Sequence, residues 1–216
     1  MFNVQKLDLL IAFYVMCIAI SELMGGKTFP LFTIGSFPVS ATVVIFILPF
    51  VYAINDIITE VYGKARAQSI VRSSLLTIFF LFLFSLLATI LPADRRFMPS
   101  ENAYETIFGI SARISAASLI AFAISEFTDV LIFAKIRQRL GKKRLWFRTN
   151  VSNFLSEFLD TVIFIVLAFY ALDQSFMNNF VFLAGIALPY WLLRCCMSII
   201  ETPLVYLGVH WLKKDK

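Results

Sequence analysis

The 216-residue chain has one histidine, three cysteines and eight glycines, and only 15% of its residues are charged. Each shortage excludes something. His210 stands alone, with no second ligand at metal spacing, so the sequence supports no metal site and no cofactor. Cys17, Cys195 and Cys196 form neither a CxxC pair nor a paired framework, and they read as small apolar fillers of hydrophobic segments. HExxH, GxSxG, a glycine-flanked intramembrane aspartate and GxxxxGK[ST] are all missing. The chain therefore carries no recognisable catalytic set and no cradle for a nucleotide phosphate, and it is not expected to be an enzyme or a self-contained ATP-driven pump.

What is present is apolar: 60% of residues are hydrophobic, 24 are Phe, and mean hydropathy is +0.83. A water-soluble domain of this size could not hide so much apolar surface. Six runs have the roughly 20 residues that a bilayer-spanning helix needs: 7–24, 37–60, 68–92, 106–134, 149–171 and 179–207. They are apolar nearly all round, as lipid-embedded helices should be, and the alternation of a membrane barrel is absent. The expectation is an all-α integral membrane bundle of six transmembrane helices, forming a single domain over 1–216. The first run lacks a small-residue cleavage site and places Asp8 where a signal peptide is cationic or apolar, so it reads as a retained span.

Basic residues orient such a bundle. With six crossings, 14 Lys and Arg fall on the side of both termini, seven of them between Lys135 and Arg148, against Lys27, Arg95 and Arg96 on the other. Both termini are thus expected in the cytoplasm. The net charge of +5 is mainly a topology signal, with anionic headgroups a secondary use and nucleic acid no direct partner.

Against this background, ISEFTDVLIF at 124–133 nearly repeats as LSEFLDTVIF at 155–164, placing a Glu and an Asp three apart in apolar sequence twice. An ionisable group inside a span costs a few kcal/mol or more, so each is a candidate functional residue. Asp56 and Glu60 are i, i+4; Glu126 and Asp129, and Glu157 and Asp160, are i, i+3, so each pair shares a helix face. Like charges so placed call for a cation, a proton or a donor-rich ligand. Arg194, Ser198 and Glu201 share another face and offer a counter-charge, while Glu22 and Glu201 sit near span ends, where headgroups or salt bridges account for them. Spans two, four and five should bring their acids to the cytoplasmic half. Arg113 lies 13 residues, roughly 20 Å of helix, from Glu126 and belongs to the outer half. The expected result is an acidic cavity with Arg113 above it. Pro49, Pro189 and Pro203 invite kinks, the small run from Ser111 to Ser118 permits close helix approach, and Asn55, Asn150 and Asn153 add amides. Such a set suits binding a small polar ligand at mid-membrane depth and releasing it on the other side, as in a secondary transporter.

The stretch NDIITEVYGKARAQ at 55–68 resembles the Asp-x-x-Thr-Glu-x-Tyr-Gly-Lys signature of the queuosine precursor transporters, also called the vitamin uptake transporter family. RISAASLIAF at 113–122, Asp129 with Phe133 before a basic loop, and RTNVSNFLSEFLDTVIF at 148–164 resemble its later blocks. The resemblance implies uptake of a 7-deazaguanine, such as the cyano or aminomethyl precursor or queuine, across a bacterial cytoplasmic membrane. It carries over Asp56, Thr59, Glu60, Tyr62, Gly63, Arg113, Asp129, Asn153, Ser156 and Asp160, with Tyr62 and Gly63 closing a helix and turning the chain. Of these, Asp56, Glu60, Arg113, Asp129, Asn153 and Asp160, together with Glu126, Glu157 and Arg194, form the expected ligand set. Partners would be the 7-deazapurine, the lipid bilayer and, as a candidate, a second copy of the chain. The alternative is a substrate-binding subunit of an energy-coupling-factor transporter. Such subunits commonly carry an AxxxA patch on the first span, whereas Ala12 and Ala19 here lack that spacing.

At Glu126 and Glu157 the family pattern is more often an amide. Two acids there suit a cationic ligand such as the aminomethyl form. Replacing both by Gln should weaken uptake of the aminomethyl form more than that of the cyano form, and equal effects on labelled uptake of the two would refute this.

Overall fold

The computed structural model describes residues 5–35, 37–140 and 145–213, of which 34, 37, 38, 64, 126, 127, 129–140, 145–153, 156, 194, 195 and 197–202 are described by backbone alone. Helix α1 (Lys6–Met24) leads into a hairpin of β1 (Thr28–Ile34) and β2 (Phe37–Thr42) and a 3₁₀ turn, Val43–Phe46. Then come α2 (Leu48–Tyr62), α3 (Lys64–Ile90), a second 3₁₀ turn at Met98–Ser100, α4 (Glu101–Leu140), α5 (Leu145–Phe169) and α6 (Phe176–Lys213).

Among the described residues four helices, not six, are long and apolar enough to cross a membrane: Lys6–Met24, Ala65–Ile90, Met98–Ser125 and Phe176–Leu193. This overturns the expected six-span bundle, and the assignment of both termini to the cytoplasm, which rested on six alternating crossings, falls with it. The reasons are local. Residues 37–47, read as the start of a span, form β2 and a 3₁₀ turn instead. What remains is the 15-residue α2, about 22 Å long against roughly 30 Å of hydrocarbon. Pro49 does not kink a span but sits in the first turn of α2, where its missing N–H is not needed. Over the described part of α5, Glu157 and Asp160 interrupt the apolar run. By contrast α4, at 40 residues and about 60 Å, exceeds the hydrocarbon core, and its helix takes in Lys135, Arg137 and Arg139, which sequence placed in a loop.

The chain divides into two compact units: residues 1–29, 41–115 and 196–216, and residues 30–40 and 116–195. In the first, Tyr14 of α1, Ile54 and Ile58 of α2, and Ala67 and Ile70 of α3 form a core, with Leu10, Ile18 and Tyr62 packed against it. Along α3 the buried positions Ala67, Ile70, Ser74, Ile78 and Ser85 make one narrow stripe, while Leu76, Phe79, Phe80, Phe84 and Ile90 are exposed. A helix with alanine and serine beside isoleucine on its inward stripe, and phenylalanine outward, is suited to lipid. The small face expected on α4 is buried at Ser111, Ala112, Ser115 and Ala117, and the Ser111 hydroxyl donates to the Leu23 carbonyl of α1 at 3.1 Å. Two hinge points use glycine's freedom at positive φ. Gly35 (φ 63) opens the β1–β2 connection, and Gly63 (φ 87) breaks α2 from α3 while its N–H still bonds Thr59 O at 3.0 Å. The start of α1 meets the end of α6: Lys6 Nζ donates to the Trp211 carbonyl at 2.6 Å and lies 5.1 Å from the centre of its ring, a cation placed at the C-terminal end of α6.

In the second unit α5 and α6 pack through Ile165, Leu183 and Ile186, flanked by Phe164, Phe169 and Tyr170. Trp191 takes Phe154 and Phe158 edge-on at 4.7 and 5.3 Å. Ser175 caps α6 by accepting from the Asn178 N–H at 3.2 Å. Asn179, only 3% exposed, then ties down the α5–α6 connection. Its amide donates to the Ala171 carbonyl at 2.7 Å and to those of Gln174 and Ser175 at 3.3 Å, and its carbonyl accepts from the Ala171 N–H at 2.9 Å. Asn179→Ala removes these part-buried hydrogen bonds from the connection and should cost about 1 kcal/mol, seen as a lower unfolding temperature in detergent; an unchanged temperature would show that the connection is held some other way.

Candidate functional site

The sequence of α2 divides its faces. Ala53, Ile54, Ile57 and Ile58 are buried, which turns Asp56 and Glu60, one turn apart, away from the core. Thr59 lies beside them, its hydroxyl spent on the Asn55 carbonyl at 2.8 Å. Opposite stands the last part of α6. Gly208 lets α6 come close, for even a methyl group there would collide with the Ile57 side chain. Val205, Tyr206, Val209 and Lys213 thereby form the second wall of a groove of about 630 Å³, the first wall being Asp56, Thr59 and Glu60.

Lys213 Nζ lies 4.0 Å from Glu60 Oε1, with the two side chains 55% and 64% exposed. An ion pair so long and so wet contributes little stability, and its interest is chemical: two carboxylates, one ammonium and one phenol converge on a space large enough for a small heterocycle. A second hollow of about 420 Å³, between α5 and α6, is lined by Val162, Ile165, Phe180 and Leu183 and other apolar or aromatic side chains, with Tyr170 the one residue bearing a polar group. It suits acyl chains rather than a polar ligand.

Of the expected ligand set the structure brings Asp56 and Glu60 together, with Thr59. Arg113 is exposed on α4 in the first unit and does not line the groove. Glu157 and Asp160 lie half-buried on α5 in the second unit and do not line it either. The side chains of Glu126, Asp129, Asn153 and Arg194 lie outside the described residues, as do those of Ser156 and Glu201. Tyr62 packs on the α1–α3 core and Gly63 makes the α2–α3 break, so both are structural here. Glu22 is buried rather than at a headgroup-facing end. Cys17 is a buried filler as expected, but Cys196 is exposed. Among the described residues no group of three or more His, Cys, Asp and Glu could hold a metal.

Tyr206 and Lys213 were not anticipated. In the sequence Lys213 is one of three lysines within residues 213–216, and no motif marks Tyr206. The signal that could have found them is Gly208, one of two glycines in a long helix, where a residue without a side chain lets a neighbour approach closely.

The family model described as "Putative vitamin uptake transporter" matches residues 42–208, most of the chain and all of both groove walls except Val209 and Lys213. The chain belongs to this transporter family. Within it, the chain is 29% identical over 188 residues to the "Probable queuosine precursor transporter" of Bacillus subtilis (strain 168), covering 85% of this chain and 78% of that protein. It is 26% identical to the "Queuosine precursor transporter" of Escherichia coli (strain K12), over 61% of this chain and 57% of the relative. A Haemophilus influenzae relative, also "Probable queuosine precursor transporter", is 26% identical over 60% of this chain and 52% of its own length. No solved structure matches. As a member of the vitamin uptake transporter family, the chain is a multi-pass transporter of the bacterial cytoplasmic membrane, not an enzyme.

The transporter's groove depends on the contact between Gly208 and Ile57. Gly208→Leu should push α6 off α2 and destabilise the protein by about 1–3 kcal/mol, and adding Ile57→Ala should restore part of the loss. Equal unfolding temperatures for the single and double variants would count against that contact.

Proposed function

We propose that this family member is a single membrane transport domain that imports a queuosine precursor, a 7-deazaguanine, as a secondary transporter, without ATP. The observation that carries this is the groove in which Asp56, Thr59 and Glu60, the positions that resemble the family signature, line one wall together. A guanine-like edge presents a ring N–H beside an exocyclic amine, and one carboxylate can accept from both. In this reading Asp56 and Glu60 supply that acceptor. Arg113, Asn153 and Arg194 can donate to a ring carbonyl, and Glu126, Asp129, Glu157 and Asp160 are further candidate substrate-binding residues. The printed names of the three relatives support the substrate class.

Two measurements test this. Expression in a strain that neither makes nor takes up queuosine precursors should restore queuosine in tRNA when the right precursor is supplied, and failure with every precursor would overturn the assignment. In liposomes without ATP or partner the purified chain should move labelled precursor, and Asp56→Asn should reduce that flux by about tenfold or more through loss of a charge-assisted acceptor. Binding without flux would favour the energy-coupling-factor subunit instead.

A further inference from the structure

The family signature accounts for one wall of the groove and leaves the other without a role. That wall offers two groups. Tyr206 lines the groove with its side chain 75% exposed. Lys213 brings a single ammonium to a groove holding two carboxylates, and it reaches Glu60 only at 4.0 Å.

An exposed aromatic face beside a carboxylate pair is the arrangement that receives a flat, donor-rich ring: the face stacks while the carboxylates accept from the ring's edge. The ion pair fits the same event. Held at the limit of ion-pair distance, with both partners more than half exposed, it is readily exchanged for another donor. Asp56 lies one turn away on the same face, so a ligand that accepts Lys213's place at Glu60 also meets a second acceptor.

We infer that the last turns of α6 complete the substrate site, with Tyr206 stacking on the flat ring and Lys213 acting as a displaceable counter-ion of Glu60 that disfavours cationic ligands. This rests on the reading of the groove as a 7-deazaguanine site. Tyr206 works through its ring and not its hydroxyl. Lys213 works through its charge: it competes with a cationic ligand for Glu60 and repels it, and it touches a neutral ligand far less.

The probes are the cationic aminomethyl and the neutral cyano 7-deazaguanines, with binding and liposome uptake measured on the full-length purified chain. Tyr206→Ala should weaken both forms by about tenfold, while Tyr206→Phe should stay within about twofold of the parent. Lys213→Gln should improve the aminomethyl form over the cyano form by about three- to fivefold. Carboxylates elsewhere act on parent and variant alike, so this ratio isolates Lys213. Both side chains are exposed, and unchanged unfolding temperatures would separate these effects from misfolding. An unaltered Tyr206→Ala protein, a Tyr206→Phe protein as weak as Tyr206→Ala, or an unchanged ratio in Lys213→Gln overturns the inference alone. A parent protein that takes up neither form overturns the substrate reading, and this inference with it.

Discussion

Hydrocarbon offers no hydrogen-bond partner, and the arrangement of this molecule follows from that constraint. The helices satisfy their own backbones, and several of the described polar side chains on them bond inward or to their own helix. Ser21, Thr59 and Ser74 return their hydroxyls to carbonyls three or four residues back, and Ser111 bonds both its own helix and the end of α1. Asn179 uses both ends of its amide to hold the α5–α6 connection. Phenylalanine and leucine are free to cover the outside, because there the solvent is as apolar as they are.

The same constraint explains why the groove is where it is. A pair of carboxylates one turn apart cannot face lipid, and α2 is too short to cross a membrane. Four buried aliphatic residues fix its rotation and leave the acids pointing away from the core. The groove exists because a second helix approaches that same short element closely, and a glycine in α6 allows the approach. Packing with no polar interaction of its own thus positions the polar site.

Much of this was legible in the chain. Hydropathy located α1 and α3 to within four residues at each end, and found α4 and α6 but stopped six residues short of where each helix ends, because their last turns are more polar than the lipid-facing stretches before them. The spacing of Asp56 and Glu60 gave a shared face correctly. The second expected span failed because Phe37, Val39 and Ala41 alternate through Pro38 and Ser40, a strand pattern that a hydropathy average cannot tell from helix. Gly35, whose positive φ opens the hairpin, was the available warning. The far wall of the groove was not legible, since Tyr206 and Lys213 are about 150 residues from Asp56 and no local pattern links them.

What the sequence determined by itself is the solvent: so apolar a chain, with its helices apolar nearly all round, has to live in a bilayer, and its signature residues place it in a transporter family. What only the tertiary structure decided is which polar residues meet. Helical spacing dictates which side chains share a face, because 3.6 residues make a turn whatever surrounds the helix. Which two faces come together depends on close packing between distant segments, and that is settled by shape, here by Gly208 lying against Ile57.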